Sequence, residues 1–405
     1  MNAVQEMNSL ISTQAADLPV YLDHAATTPV DPRVAARMAE VLRSESDFGN
    51  PASSHDYGDT AGALIEKARA QVAAAVGASA NEIVWTSGAT EANNLAIFGV
   101  AEYYRDRGRH IVTARIEHKS VLDPCRELER RGWHITYLEP DAGGLLDPDQ
   151  VAAALRPDTV LVSIMHVNNE IGVVQDIAAI GAICAKHGAR LHVDAAQSVG
   201  KCAVDLTALG ADLLSLSAHK TYGPKGAGAL VVSQRGGAGA RVQLKPLQFG
   251  GGQERGLRAG TLATHQAVGM GMAFALTALL PADELSRIRR LQQRLWQGLS
   301  AIGGVLRNGN AQRSVPHVLN VSFEGVEGES LLAAVRPHLA LSTGSACTSS
   351  LAEPSFVLRA LGRSERLSES SLRFGLGRNN SERDIDTAIA VLSREVGRLR
   401  RIAGA

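Results

Sequence analysis

The chain has 405 residues, 45% hydrophobic and 20% charged, which is enough apolar material for one large core and a smaller domain. Lys and Arg number 41, as do Asp and Glu, so no overall basic field indicates binding to nucleic acid or to an anionic membrane. The four cysteines are scattered without a Cys-x-x-Cys pair, which argues against a zinc cage or a disulfide framework and favours a reducing compartment.

The opening segment has neither the charged start of a secretory signal nor the Arg-rich character of a transit peptide, since the first basic residue is Arg33. No apolar run is long enough to span a bilayer. We therefore expect a cytoplasmic protein with a loose tail over residues 1–18.

Strands and helices alternate along the first part of the chain. A short extended piece at Val20 leads through a Thr-Thr-Pro turn into a helix. Apolar runs predict strands at 82–85, 110–115, 134–139, 159–167, 189–194, 213–216 and 229–232, and periodicity predicts helices at 59–76, 119–131 and 148–155. Such alternation predicts an α/β fold with right-handed crossovers and a mostly parallel sheet.

A Gly-containing turn with Ala89 and Thr90 follows the predicted strand 82–85 and opens a helix. Free backbone N–H groups and a hydroxyl at a helix start suit a phosphate. The stretch matches neither Gly-x-Gly-x-x-Gly nor a Walker loop, so an ordinary helix cap is an equal alternative.

Polar residues follow the ends of the next predicted strands. His118 follows one strand, Asn169 another, and Asp194 and Gln197 a third. Each alone has an ordinary explanation, such as a packed histidine or a helix cap. Because ligands collect beyond the carboxyl ends of parallel strands, the set predicts one shared crevice.

Lys220 ends the stretch Ser217-Ala218-His219-Lys220, directly after the predicted strand at 213–216. An amine in a dry pocket is easily kept neutral, and a neutral amine condenses with an aldehyde. Lys225 in the following turn is the rival candidate, and a solvated surface lysine is the plain alternative.

The remainder predicts a smaller α+β domain. A glycine-rich segment reaches Thr261, and helices follow at about 263–280 and over an amphipathic stretch with Leu285, Ile288, Leu291, Leu295 and Leu299 on one stripe. A final helix is predicted at 382–400. We place a large domain at 19–280, whose first residues could join the other domain, and a small domain at 281–405.

Cys347 lies in Ser342-Thr343-Gly344-Ser345-Ala346-Cys347-Thr348-Ser349-Ser350, a run of small polar residues with little to pack against it. An exposed thiol there is either a nucleophile or a bystander.

Taken together, SGATEANN, HVNNEIGVVQDIAAIG, HVDAAQSVG, SAHKTYGPKG, GGGQERGLRAGT and STGSACTSS resemble the IscS/NifS-like cysteine desulfurases, which are pyridoxal-phosphate enzymes of aminotransferase fold type I. The resemblance runs from Tyr21 to Arg400 with the motifs in the family's order. It implies a large domain with a mostly parallel seven-stranded sheet, a smaller α+β domain carrying the cysteine loop, and pyridoxal 5′-phosphate as cofactor.

The resemblance also implies a role for each candidate residue. Lys220 would hold the cofactor covalently and move the substrate Cα proton, while His118 would stack on the ring and assist. Asp194 would pair with the pyridine nitrogen, keeping it protonated so that the ring is an electron sink. Asn169 and Gln197 would contact the O3′ side of the ring. The phosphate would be held by Ala89, Thr90, Ser217 and His219, and by Thr261 of the other subunit. Because Thr261 comes from the other subunit, the site would need a homodimer.

Arg373 would bind the substrate carboxylate bidentately, with Asn169 nearby. Cys347 would attack the sulfur of bound L-cysteine, giving L-alanine and a persulfide on the enzyme. The expected acceptors are an iron–sulfur scaffold protein and sulfur carriers for tRNA thiolation. No metal is implied in the free enzyme, with Cys347 as a transient cluster ligand when the scaffold is bound.

Three alternatives stay open. The chain ends at Ala405, earlier than in the iron–sulfur-assembly type, which leaves scaffold docking open and leaves room for a NifS-type enzyme serving nitrogenase clusters. Selenocysteine lysis or aminotransfer on the same fold is a second alternative. A non-catalytic sulfur carrier or scaffold is a third, and it would be colourless.

Overall fold

A computed structural model describes residues 18–234, 242–281, 283–343 and 354–404. The strands, numbered in chain order, are β1 Val20–Tyr21, β2 Ile83–Thr86, β3 His110–Ala114, β4 His134–Leu138, β5 Thr159–Met165, β6 Arg190–Asp194, β7 Leu213–Ser217, β8 Gly228–Val232, β9 Val305–Asn308, β10 Val318–Phe323, β11 Leu339–Ala340 and β12 Ser371–Gly375. The helices are α1 Pro32–Arg43, α2 Asp56–Ala75, α3 Ala89–Tyr104, α4 Lys119–Arg130, α5 Pro148–Ala154, α6 Ile177–His187, α7 Thr264–Thr277, α8 Glu284–Ser300, α9 Gly328–Val335, α10 Phe356–Ala360, α11 Glu365–Glu369 and α12 Glu382–Ala403.

A seven-stranded sheet in the order β2-β8-β7-β6-β5-β3-β4 forms the centre of the fold. The neighbours from β7 to β4 pair in parallel, whereas β8 is antiparallel to both β7 and β2. The mostly parallel α/β sheet predicted from the sequence is therefore confirmed. Among the described residues, no helix combines the length and apolar character that crossing a membrane requires.

Both faces of this sheet are buried, as is usual for parallel strands. Val112, Val162 and Leu214 face a core shared with α2, α6 and α7. The residues immediately before them, such as Ile111 and Leu161, face a second core formed with α3 and α4. This alternation explains why the strands read as continuous apolar runs rather than as a period of two.

A second unit contains the antiparallel sheet β12-β10-β9, packed against α8 and α12. Four of the five residues on the predicted stripe of α8 are buried, but Leu285 is 41% exposed, so its assignment to the core stripe was wrong. It lies at the start of the helix, before the stripe reaches the sheet.

The two units are interwoven at two places. Leu22 packs in the core of the second unit, because β1 pairs in parallel with β11. Conversely, Val357 and Leu358 of α10 pack in a core of the seven-stranded sheet. The domain boundary at residue 281 stays a prediction.

Candidate active site

A cavity of about 480 Å³ opens at the carboxyl ends of the parallel strands. Nine of the residues predicted for a cofactor site line it: Ala89, Thr90, His118, Asn169, Asp194, Gln197, Ser217, His219 and Lys220. The rival lysine, Lys225, lines it as well. The polar strand-end residues that were expected to share one crevice therefore lie around the same cavity.

Asp194 is the last residue of β6 and is buried. Its Oδ1 accepts a hydrogen bond from the Ala196 N–H at 3.0 Å, and its Oδ2 accepts one from Asn93 Nδ2 at 2.8 Å. The carboxylate is therefore held in place by one donor from the backbone and one from α3.

His118 caps α4, with its Nδ1 accepting a hydrogen bond from the Ser120 N–H at 3.1 Å. Ser120 Oγ lies 2.7 Å from the same nitrogen and accepts from Asn93 Nδ2 at 2.8 Å. Because Nδ1 is an acceptor, a neutral His118 carries its proton on Nε2. Asn93 thus couples the imidazole and the Asp194 carboxylate.

Lys220 ends a short 3₁₀ turn after β7. Its Nζ donates to the carbonyl of Ala25 at 3.2 Å, and His219 Nδ1 lies 3.1 Å from Thr27 Oγ1. Both partners belong to the loop between β1 and α1. Burial, followed by the charge of Lys220, lowers the pKa of His219 to about 4, so the imidazole is neutral at physiological pH.

The start of α3 forms the wall of the cavity opposite that loop. Its first N–H groups have no acceptor within the helix, and the helix is 16 residues long. Gly228 of β8 permits this placement, since a Cβ there would lie 2.4 Å from Gly88 Cα. Glu91 accepts from the Ser87 N–H at 2.7 Å and pairs with Arg258 at 2.9 Å. The pairing neutralises the Glu91 charge beside the start of α3.

Arg373 lies behind Asn169 and does not line the cavity. Its guanidinium donates to the Asn169 carbonyl at 3.0 Å, to Asp23 at 3.0 Å and to Ser342 Oγ at 2.8 Å. The guanidinium is buried, and its Nε has no partner among the described residues.

The two remaining predicted site residues are Thr261 and Cys347. Thr261 is exposed and, like Arg373, does not line the cavity. Cys347 lies outside the described residues. The flanking chain is held near the cavity, because Ser342 bonds to Arg373 and Ser355 Oγ donates to the buried Glu170 Oε2 at 2.5 Å.

Comparisons with known proteins agree with this geometry. The family described as aminotransferase class-V matches residues 20–387. The chain is 58% identical over 387 residues to a cysteine desulfurase IscS of Methylococcus capsulatus (strain Bath), covering 95% of this chain and 94% of the relative. The chain belongs to the cysteine desulfurases of the class-V aminotransferase family.

Solved structures show the same likeness. A NifS-like protein superposes with a TM-score of 0.87 at 33% identity, covering 94% of this chain and all of that one. A structure described as SspA in complex with cysteine gives a TM-score of 0.77 at 40% identity, covering 88% of this chain and 98% of the other. Proteins of this family depend on pyridoxal phosphate, and this cofactor is therefore assigned to the chain.

The residues of the cavity fit that cofactor. A helix N-terminus and hydroxyls offer donors for a phosphate, a buried carboxylate suits a pyridinium nitrogen, and a strand-end lysine provides the amine for an aldehyde. Within the described parts of the chain, no group of three or more His, Cys, Asp or Glu residues is arranged to hold a metal ion.

The sequence did not single out several residues that shape the site. Asn93 lies within the quoted motif SGATEANN and Ser120 follows His118 by two residues, but only the fold brings Asn93 to both Asp194 and Ser120. Glu117 is fully buried, accepts from the Met165 N–H at 2.9 Å and leaves Oε2 unpartnered among the described residues. Lys201 contacts Gln197 from behind. In the sequence, the spacing of four residues between Gln197 and Lys201 was the one feature that could have indicated this contact.

Proposed function

We propose that this enzyme removes sulfur from L-cysteine, forming L-alanine and a persulfide on Cys347 that supplies iron–sulfur cluster assembly. The observation that carries the proposal is the convergence of Lys220, Asp194 and His118 on one cavity of cofactor size. The IscS name of the relative and the cysteine in the SspA structure support L-cysteine as the substrate, and the IscS name agrees with a role in iron–sulfur cluster assembly.

The residues that line the cavity supply the proposed cofactor contacts. The start of α3 with Ala89 and Thr90, together with Ser217 and His219, would hold the phosphate. Asp194 would pair with the pyridine nitrogen, and Asn169 and Gln197 would contact the O3′ side. When bound, pyridoxal phosphate supplies an electron sink for the bonds at the substrate Cα.

Lys220 Nζ would take the proton from the substrate Cα. His118 would carry a proton at Nε2, since Nδ1 accepts from Ser120. Arg373 does not line the cavity in this structure, so it would bind the substrate carboxylate by exchanging its bonds to Asp23 and Ser342 for it.

Sulfur transfer would require the thiolate of Cys347. That thiolate forms an S–S bond with the substrate sulfur while the substrate Cβ–S bond breaks, and the bonding electron pair stays with carbon. A proton added there completes alanine.

The other three cysteines are poor substitutes for Cys347. Burial raises the pKa of Cys125 and of Cys184 to about 12 each, and the pKa of Cys202 to about 11. Their thiols are therefore protonated and weakly nucleophilic at neutral pH.

Thr261 is exposed and does not line the cavity of its own chain. We propose a homodimer in which Thr261 reaches the phosphate in the other subunit. An iron–sulfur scaffold and sulfur carriers would then accept sulfur from the persulfide.

The test compares wild type, Cys347→Ala, Lys220→Ala and, as a matched thiol control, Cys184→Ala. Wild type should turn over L-cysteine, and its Cys347 peptide should gain the mass of one sulfur atom. Cys347→Ala should keep the visible absorption of bound cofactor but lose sulfide release, whereas Lys220→Ala should lose that absorption. Undiminished turnover by Cys347→Ala would sink the proposal.

A further inference from the structure

A second buried lysine, Lys201, stands behind the cofactor cavity. Its Nζ donates a hydrogen bond to Gln197 Oε1, and both side chains are buried. Gln197 Nε2 donates in turn to the carbonyl of Ala25 at 2.7 Å. These two contacts fix which end of the Gln197 amide is oxygen and which is nitrogen, because a flipped amide would set an NH₂ group against the lysine and an oxygen against a carbonyl.

The same contacts reach the cofactor lysine. Lys220 Nζ also donates to the Ala25 carbonyl, at 3.2 Å. Lys201, Gln197, Ala25 and Lys220 thus form a continuous hydrogen-bonded chain, in which the Ala25 oxygen is shared. Lys201 is therefore linked to Gln197 directly and to Lys220 through Gln197 and the Ala25 carbonyl.

Stability does not explain a lysine at this position. Among the described residues, no carboxylate lies within 4 Å of Lys201 Nζ. The groups that interact electrostatically with it are cations, neutral imidazoles or a thiol: Lys220, Cys202, Arg373, His24, His317 and His219. Arg378, Tyr222 and Glu284 line the same small cavity as Lys201, and Glu284, the carboxylate among them, pairs with Arg287 at 3.3 Å. Burying an amine without a carboxylate costs free energy that an apolar side chain of similar length would not cost.

The titration behaviour agrees with that environment. Burial, followed by the charge of Lys220, lowers the pKa of Lys201 to about 7. Burial likewise keeps His24 and His317 neutral by lowering each pKa. The positive charge of Lys201 is therefore present to a variable extent at physiological pH.

We propose that Lys201 is a positioning residue that orients the Gln197 amide, so that Gln197 presents an N–H to the anionic oxygen of the bound cofactor. Lys201 also adds positive charge behind Gln197. The second N–H of Gln197 Nε2 is available for this, since only one is needed for Ala25. The inference rests on the proposed function, in which Gln197 and Lys220 both contact pyridoxal phosphate.

Two variants separate the two effects. Lys201→Met removes the donor and the charge, whereas Lys201→Gln removes the charge but keeps a donor for Gln197 Oε1. The exposed Lys186→Met at the end of α6 is the control. Cofactor affinity should fall about tenfold in Lys201→Met, the usual effect of one lost hydrogen bond, and much less in Lys201→Gln.

The pH titration of the visible absorption of bound cofactor reports the charge. Removing a nearby cation favours protonation at the Lys220 nitrogen, so the midpoint should move to higher pH, by on the order of one unit, in both Lys201 variants. Lys186→Met should leave it unchanged. An unchanged midpoint and affinity in Lys201→Met would overturn the inference.

A double-mutant cycle with Gln197→Met tests whether Lys201 affects cofactor binding through Gln197. If Lys201 acts through Gln197, the affinity loss of Lys201→Met disappears in the Gln197→Met background, and strictly additive losses would overturn the orienting role. Thermal unfolding of the cofactor-free proteins should show that Lys201→Met is as stable as wild type. If it is not, Lys201→Gln carries the spectroscopic test. Wild type that neither binds pyridoxal phosphate nor consumes cysteine would instead refute the proposed function.

Discussion

Asn93 and Asp194 lie on different elements, a helix and a strand, and are joined by a hydrogen bond of 2.8 Å between Asn93 Nδ2 and Asp194 Oδ2. The same nitrogen donates to Ser120, which contacts His118. The helix that begins at the predicted phosphate site therefore also holds the carboxylate and the imidazole of the cavity.

Replacement of Asn93 should weaken cofactor binding. Asn93→Ala removes a donor from a buried carboxylate, and we expect the dissociation constant for pyridoxal phosphate to rise about tenfold. Asn93→Asp should be worse, because it sets a second carboxylate against Asp194. The control is Asn94→Ala, whose amide bonds, among the described residues, to the Thr90 carbonyl. Equal affinity of Asn93→Ala and wild type in a cofactor titration would contradict the prediction.

Arg258 should support the phosphate site by neutralising Glu91. In Arg258→Met, the Glu91 carboxylate loses the partner at 2.9 Å and stands unpaired near the start of α3. We expect weaker binding of pyridoxal phosphate and of inorganic phosphate, by several-fold to about tenfold. Adding Glu91→Gln should restore most of the affinity. Failure of the double variant to recover would show that Arg258 acts in another way.

Glu117 should make stability depend on pH. Burial is the main reason that the pKa of this fully buried carboxyl is raised well above its usual value, and Asp194 raises it further. The folded protein then binds more protons than the unfolded chain above about pH 4.3, so this group lowers stability as pH rises from there towards its folded pKa.

Glu117→Gln keeps an acceptor for the Met165 N–H but cannot ionise. Its melting temperature should exceed that of wild type at pH 8, and the difference should vanish near pH 4. The exposed Glu45→Gln should show no such trend. A constant difference across the pH range, measured by thermal unfolding, would rule out titration of Glu117.

Arg69 and Glu254 form a buried ion pair that ties the glycine-rich segment to α2 and β2. Two bonds of 2.8 Å join them, and Glu254 also accepts from the Trp85 N–H at 2.7 Å. Arg69→Met leaves a buried carboxylate unpaired and should cost about 3–5 kcal/mol of unfolding free energy. Arg69→Met with Glu254→Gln should cost less. A loss below about 1 kcal/mol by chemical denaturation would contradict this pairing.

Most of the candidate residues that line the cavity were found at the ends of predicted strands. Asp194, Gln197 and Lys220 were identified because polar residues stop apolar runs, and such stops are visible in the chain order. Lys201 and Glu117 were not, because their roles come from contacts made through space to Gln197 and Met165. The exposure of Leu285 was likewise unreadable, since a helical stripe does not reveal where the partner sheet ends.

The pairing of β1 with β11 determines the order in which a growing chain can complete the site. The strands that line the cavity lie between residues 83 and 217 and are synthesised early, together with Lys220. Val20 must wait for Leu339, and Asp23 must wait for Arg373. Such distant pairings are formed late. A nascent chain on the ribosome therefore contains its cofactor lysine well before the arginine proposed to hold the substrate exists, and the substrate side of the site is completed last.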